Sequence, residues 1–166
     1  MTNVSLRAAE VRDAEAIADI YNYEVENTSA TFDLVPRSIE AQREWITART
    51  GAFAAIVAED SSVGVIGFAA LSTYRDRAGY RTTVENSVYV HRDHQRRGVG
   101  RLLLTNLLEM ARSSGFHTVI ARIDTQSIGS LALHKSLGFN EVGVEQQIGR
   151  KFGRWLDSAI LQKIIS

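Results

Sequence analysis

The segment from Asn86 to Gly115 places the tightest constraint on the fold. Asn86-Ser87-Val88-Tyr89-Val90 reads as a strand, His91 to His94 as a polar turn, and Gln95-Arg96-Arg97-Gly98-Val99-Gly100-Arg101 runs into a helix. From Val99 onward Leu103, Leu107 and Met110 share one helical face, Leu104 and Ala111 lie beside them, and Gly115 supplies the stop. A helix entered through glycines exposes its first N–H groups, which have no internal partner, and the macrodipole adds about half a positive charge there. Such an end can bind a pyrophosphate, with Gly98 and Gly100 on either side of Val99 allowing close approach and Arg96, Arg97 and Arg101 adding charge-assisted hydrogen bonds. The spacing matches neither G-x-x-x-x-G-K-[ST] nor G-x-G-x-x-G. Read alone, the same residues also fit a plain basic turn before an amphipathic helix.

The remaining pattern surrounds this unit with a sheet. Val4 to Ala8 predicts a strand, and Asp13 caps a helix through Ile17, Ile20, Tyr21 and Val25. Thr28 to Pro36 is a loop carrying Phe32, after which Ser38 caps a helix through Trp45 and Ile46 that ends near Gly51. Ala52 to Ala58 and Val65 to Leu71 predict an antiparallel hairpin across Glu59 to Gly64, and Tyr74 to Arg81 is a charged loop before a strand from Thr82 to Val90. Beyond Gly115 come a strand from Val119 to Ile123 and a helix opened by Ser127 or Ser130 and closed by Gly138. Two strands follow, one from Phe139 and one from Trp155 to Leu161. The order β-α-α-β-β-β-α-β-α-β-β predicts a mixed α/β sheet with helices on both faces. At 166 residues, with 45% apolar residues and one proline, the expectation is a single domain, 1–166.

Charge and cysteine content narrow the function. Nineteen Lys plus Arg balance nineteen Asp plus Glu, so no global field draws the chain to nucleic acid or an anionic membrane, and any anion site is local. No window approaches a membrane span, and Met1-Thr2-Asn3-Val4-Ser5 lacks the layout of a signal peptide, so the cytoplasm is expected. The absence of cysteine removes disulfides, thiolate metal sites and a cysteine nucleophile. His91 and His94 lack a third ligand at suitable spacing, so no metal is expected. Lys151 to Asp157 mixes charges and aromatics in the manner of a sheet edge or dimer contact.

Gln95-Arg96-Arg97-Gly98-Val99-Gly100 after a Val-Tyr-Val strand resembles the cofactor motif of the GNAT N-acetyltransferase superfamily. Further segments are similar, in order, to its phosphinothricin and methionine sulfoximine acetyltransferase branch. These are Ile20-Tyr21-Asn22, Thr31-Phe32, Trp45, Val84 to Val90, Leu133-His134-Lys135-Ser136-Leu137-Gly138-Phe139 and Lys151 to Asp157, so the resemblance covers nearly the whole chain. It implies the GNAT-like single-domain, mostly antiparallel sheet and acetyl-CoA as co-substrate. The pantetheine arm would run along Val88, Tyr89 and Val90, with an amide near Val90 facing the thioester carbonyl. The diphosphate would lie on Arg96 to Arg101, with Ser127 and Ser136 at further cofactor positions; the first is commonly asparagine in the branch.

For the acceptor, the resemblance implies Glu85 as general base, because only an unprotonated amine can attack a carbonyl. In a regular strand Glu85 shares a face with Ser87 and Tyr89, and a bulge before Val88 would change that phase. Without the resemblance, Glu85 reads as a strand glutamate paired to Arg75, Arg77 or Arg81. Phe32, Arg75, Tyr80, Arg81 and Glu85 are the implied acceptor-site residues, with Arg75 on a carboxylate and Tyr74 where the branch usually has tryptophan. His134 or Tyr89 is the implied proton donor to the departing thiolate; His134 also fits a helix histidine bonded to the backbone. The expected reaction moves acetyl to the amine of a small amino acid analogue, with a homodimer closing the pocket. A protein N-terminal, lysine or polyamine acetyltransferase and a non-catalytic acyl-CoA-binding module remain the alternatives.

Overall fold

A computed structural model describes residues 3–166; Met1 and Thr2, part of the segment read against a signal peptide, lie outside it. The chain runs β1 (Val4–Ala8), α1 (Ala14–Asn27), α2 (Ile39–Thr47), β2 (Ile56–Asp60), β3 (Gly64–Thr73), β4 (Thr83–Val90) and α3 (Val99–Ser113). It then continues through β5 (Thr118–Asp124), α4 (Ile128–Ser136), β6 (Asn140–Lys151) and β7 (Arg154–Ile164). This is the expected order. Ser38 caps α2 as its residue type demands, its hydroxyl accepting from the Ala41 N–H at 3.0 Å. Two local expectations are corrected and one open alternative is decided. Asp13 caps no α1 amide; its carboxylate takes the Glu10 N–H at 2.7 Å and the Arg7 guanidinium, closing a 3₁₀ turn over Val11–Asp13. β2 starts at Ile56 because Gly51–Phe53 forms another such turn. Ser127, not Ser130, stands at the start of α4.

The seven strands form one sheet in the order β1-β2-β3-β4-β5-β7-β6, and every pairing among the described residues is antiparallel except β4 with β5. On one face Ile17, Ile20, Tyr21 and Val25 of α1 and Ile46 of α2 pack on Val57 and Phe68. On the other, the leucine face of α3 lies on Leu71, Val84 and Val119, and Leu131, Leu133 and Leu137 from the α4 region join it. Helices thus cover both faces, as the crossovers require.

The parallel pair positions the site. β4 and β5 are in register only over Thr83↔Thr118, Val84↔Val119 and Glu85↔Ile120, after which β4 continues to Val90 and β5 to Asp124 without pairing. β3 pairs with β4 without interruption from Val84 to Val90, so β4 has no bulge. The His91 amide donates to Ile66 O at 2.8 Å. Antiparallel ladders alternate, so Tyr89 and Ser87 also bond toward β3, and the Val88 and Val90 amides point to the side where β5 has departed.

Candidate active site

The parted strands enclose a cavity of about 370 Å³ whose walls come from both sides of the sheet. Side chains alternate along β4, so Asn86 and Val88 face α3 and α4, while Glu85, Ser87 and Tyr89 face the other way. The expected shared face of Glu85, Ser87 and Tyr89 is what the unbulged strand produces. Val88 and Tyr89 line the cavity, and Val90 packs into the α3 side of the core.

Beyond Val90 the chain turns sharply into α3. Arg96 has φ +60° and Gly98, at the N-cap, has φ +83°; the second costs glycine no side-chain clash. No side chain caps α3 and no acidic residue occupies its first turn, so the leading amides have no protein partner among the described residues. Residues in left-handed conformation beside these amides form an anion-binding concavity. Gly100 lets α3 approach α4: a Cβ there would lie 3.2 Å from Leu133 Cδ2. Arg96 and Arg97 are exposed and hold no carboxylate among the described residues, whereas Arg101 donates to the Ser136 hydroxyl at 2.7 Å. Ser136 in turn donates to Leu133 O, and it does not line the cavity, whereas Ser127 does.

Glu85 lines the same cavity, and burial holds its carboxyl above the ordinary glutamate range. Arg122 opposes that shift and Glu145 adds to it. Arg122 Nε lies 3.9 Å from Glu85 Oε2, too long for a hydrogen bond, while Nη1 is hydrogen-bonded to Glu145. The pairing partners considered in the sequence, Arg75, Arg77 and Arg81, form no ion pair with Glu85.

His134 is buried beside β4. Its Nδ1 lies 2.8 Å from Ser130 O, which can only accept, so that nitrogen carries a proton. Its Nε2 lies 3.1 Å from Asn86 Oδ1, and Asn86 Nδ2 has no partner among the described residues. Two states satisfy this pair: an imidazolium donating to Oδ1, or a neutral ring accepting from an Asn86 amide turned by a half rotation. Burial pulls the His134 pKa down and favours the neutral ring. Both nitrogens are committed to the protein, which is the helix-histidine reading and leaves no free N–H for a thiolate. Tyr89 sits against Phe68 and Tyr21, and burial pushes its phenol up.

The acceptor-loop residues are placed differently from the expectation. Arg75 lies over the rings of Tyr74 (5.0 Å) and Tyr80 (5.7 Å), and neither Arg75, Tyr80 nor Arg81 reaches the cavity of the single chain. Phe32 does line it, packed on Gly149 of β6. The sequence reading missed Arg122, Glu145 and Asp124. Asp124 is buried at the end of β5 and accepts from the Ser29 hydroxyl. A charged residue inside an apolar strand, Arg122 in Thr-Val-Ile-Ala-Arg-Ile-Asp, was the one available signal. Among the described residues no cluster could hold a metal ion.

The Acetyltransferase (GNAT) domain model matches residues 6–160. An L-amino acid N-acyltransferase of Escherichia coli (strain K12) is 43% identical over 160 residues, 96% of this chain and 92% of the relative. An L-methionine sulfoximine/L-methionine sulfone acetyltransferase of Pseudomonas paraeruginosa is 39% identical over 96% of this chain and 94% of its own. The crystal structure of a phosphinothricin acetyltransferase from Sinorhizobium meliloti in complex with AcCoA superposes with a TM-score of 0.94 at 36% identity, covering 100% of this chain and 90% of that one. The chain belongs to the GNAT acetyltransferases and is an acetyl-CoA-dependent N-acetyltransferase. Its own features fit acetyl-CoA: uncapped amides and free arginines at α3 suit the diphosphate, and the unpaired Val88 and Val90 amides suit an extended amide-bearing arm.

Proposed function

We propose that this chain acetylates the α-amine of a small free amino acid or analogue, of the methionine sulfone, methionine sulfoximine or phosphinothricin type, with Glu85 as general base. The observation that carries the reading is the parting of β4 from β5 after Glu85↔Ile120, since one cavity then holds a desolvated carboxylate beside the β4 backbone at Val88, on the strand that leads into α3. The cavity volume of about 370 Å³ suits a small acceptor.

The donor supplies a thioester already activated for attack. The chain's residues do the rest. The α3 amides, Arg96 and Arg97 hold the diphosphate; Arg101 and Ser136 flank it; Val88 and Val90 orient the arm and present a preorganised N–H where negative charge develops on the carbonyl oxygen. Ser127 contacts the donor from α4. Glu85, held above the usual carboxylate range, takes the ammonium proton directly or through water, leaving the lone pair to attack. His134 orients Asn86 and β4. Tyr89 is a weaker acid than a thiol, so its donation would be uphill, and the sulfur departs as the thiolate, which equilibrates with solvent protons after it has left. Phe32 and Ile148 rim the acceptor side, both exposed in the single chain. A homodimer that brings Arg75, Tyr80 and Arg81 to that rim completes the proposed site.

No helix among the described residues is long and apolar enough to cross a membrane. The cytoplasm, where thioester donors are made, is the proposed compartment. The test is thiol release from acetyl-CoA with a panel of amino-acid analogues, peptides and polyamines. Release with amino acids is expected; release only with peptides or polyamines, or none, overturns the acceptor claim.

A further inference from the structure

We propose that Arg122 is the specificity-determining residue for free α-amino acids, binding the acceptor's α-carboxylate while Glu85 faces its α-amine. This rests on the acceptor class proposed above. An α-amino acid carries its ammonium and carboxylate on one carbon, so its receptor needs an anionic and a cationic group a few ångströms apart on one wall. Glu85 Oε2 and Arg122 Nε meet that need, 3.9 Å apart in the same cavity.

The guanidinium is available for such a ligand. Arginine has five N–H donors, and among the described residues the only hydrogen bond Arg122 makes is from Nη1 to Glu145. That bond anchors the side chain from β6 and leaves the Nε and Nη2 donors free, a planar pair suited to a carboxylate. The rest of the wall makes Arg122 necessary. Glu85 and Glu145 flank the one guanidinium, and a third carboxyl group of the same cavity, Asp124, is already occupied by Ser29 Oγ and, at 3.3 Å, the Gln126 amide. An acceptor carboxylate there without Arg122 would face Glu85 and Glu145 with no opposing charge from this wall. Arg75, the alternative anchor, lies outside this cavity against Tyr74 and Tyr80.

The experiment compares kcat/KM for methionine sulfone and for its carboxamide, which lacks only the carboxylate charge, in the wild type and in Arg122→Gln. Taking the acid-to-amide ratio within each enzyme cancels the difference in amine basicity. The ratio is expected to fall about 10- to 100-fold in Arg122→Gln, mainly through KM for the acid, the scale of a lost charge-assisted pair. Titration with acetyl-CoA checks that the variant keeps its donor site; if Arg122→Gln does not fold, Arg122→Leu is read in the same way. An unchanged ratio in the folded variant overturns the assignment. Failure of the wild type to acetylate any amino acid would instead overturn the acceptor class, so the two failures are distinguishable.

Discussion

At the scale of single residues, burial decides which titratable groups can act. Glu85 must be ionised to accept a proton, and its raised pKa means that activity falls with decreasing pH from above the ordinary carboxylate range. Glu85→Gln is expected to lower kcat/KM about 10²-fold or more at neutral pH and to change the acid limb to that of the acceptor amine alone; an unchanged pH–rate profile removes Glu85 from the role. His134 carries a stability effect of defined sign. Its folded pKa is depressed, so the unfolded chain binds the proton more tightly, and stability declines as pH falls below the ordinary histidine value. His134→Asn should flatten the fall in Tm between pH 7.5 and 5.5 relative to wild type, a difference readable by thermal denaturation. Glu85 was legible from its strand position and the resemblance of its surroundings. Arg122 and Glu145 were not, because they meet only through strands 23 residues apart in sequence.

At the scale of elements, the acceptor wall depends on the irregular course of β6. Its register with β7 shifts between Glu145 and Gly149, with Gln147 at φ +50° and its amide donating to Asp157 at 2.7 Å. The shift presents Gly149 to Phe32, whose ring atoms lie 2.7 and 2.8 Å from where a Cβ would stand. Lys151, at the end of the edge strand β6 as its segment suggested, is nevertheless buried and donates to Glu24 O and, at 2.8 Å, to Thr31 O, tying the Phe32 loop to the same strand. Gly149→Ala is therefore expected to displace Phe32 and raise the acceptor KM severalfold while leaving acetyl-CoA affinity unchanged; equal losses for both substrates in steady-state and titration measurements count against this division. Helix limits and strand order were legible because capping residues and apolar periodicity are local. The bulge was not, since a register shift is defined only against the partner strand.

At the scale of the whole molecule, β6 is an edge strand whose neighbourhood exposes Val142, Val144, Ile148, Phe152 and Trp155. Exposed apolar side chains along an edge favour a protein partner, and their nearness to the cavity mouth at Ile148 supports the proposed homodimer. Sedimentation is expected to give a dimer mass for the wild type and a monomer for Trp155→Glu, Trp155 being 57% exposed; a wild-type monomer at micromolar concentration defeats the proposal. The sequence alone determined the element order, the two-faced sheet and the glycine-entered start of α3, because these follow from periodicity and glycine placement, while the ordered motifs from Ile20 to Asp157 carried the resemblance to an acetyltransferase. Tertiary structure alone decided that β4 and β5 part after three residue pairs, that His134 spends both nitrogens on Ser130 and Asn86, and that Arg122 rather than Arg75 shares the cavity with Glu85. Each of these depends on distances between segments remote in the chain, and burial and charge take their values only when those segments meet.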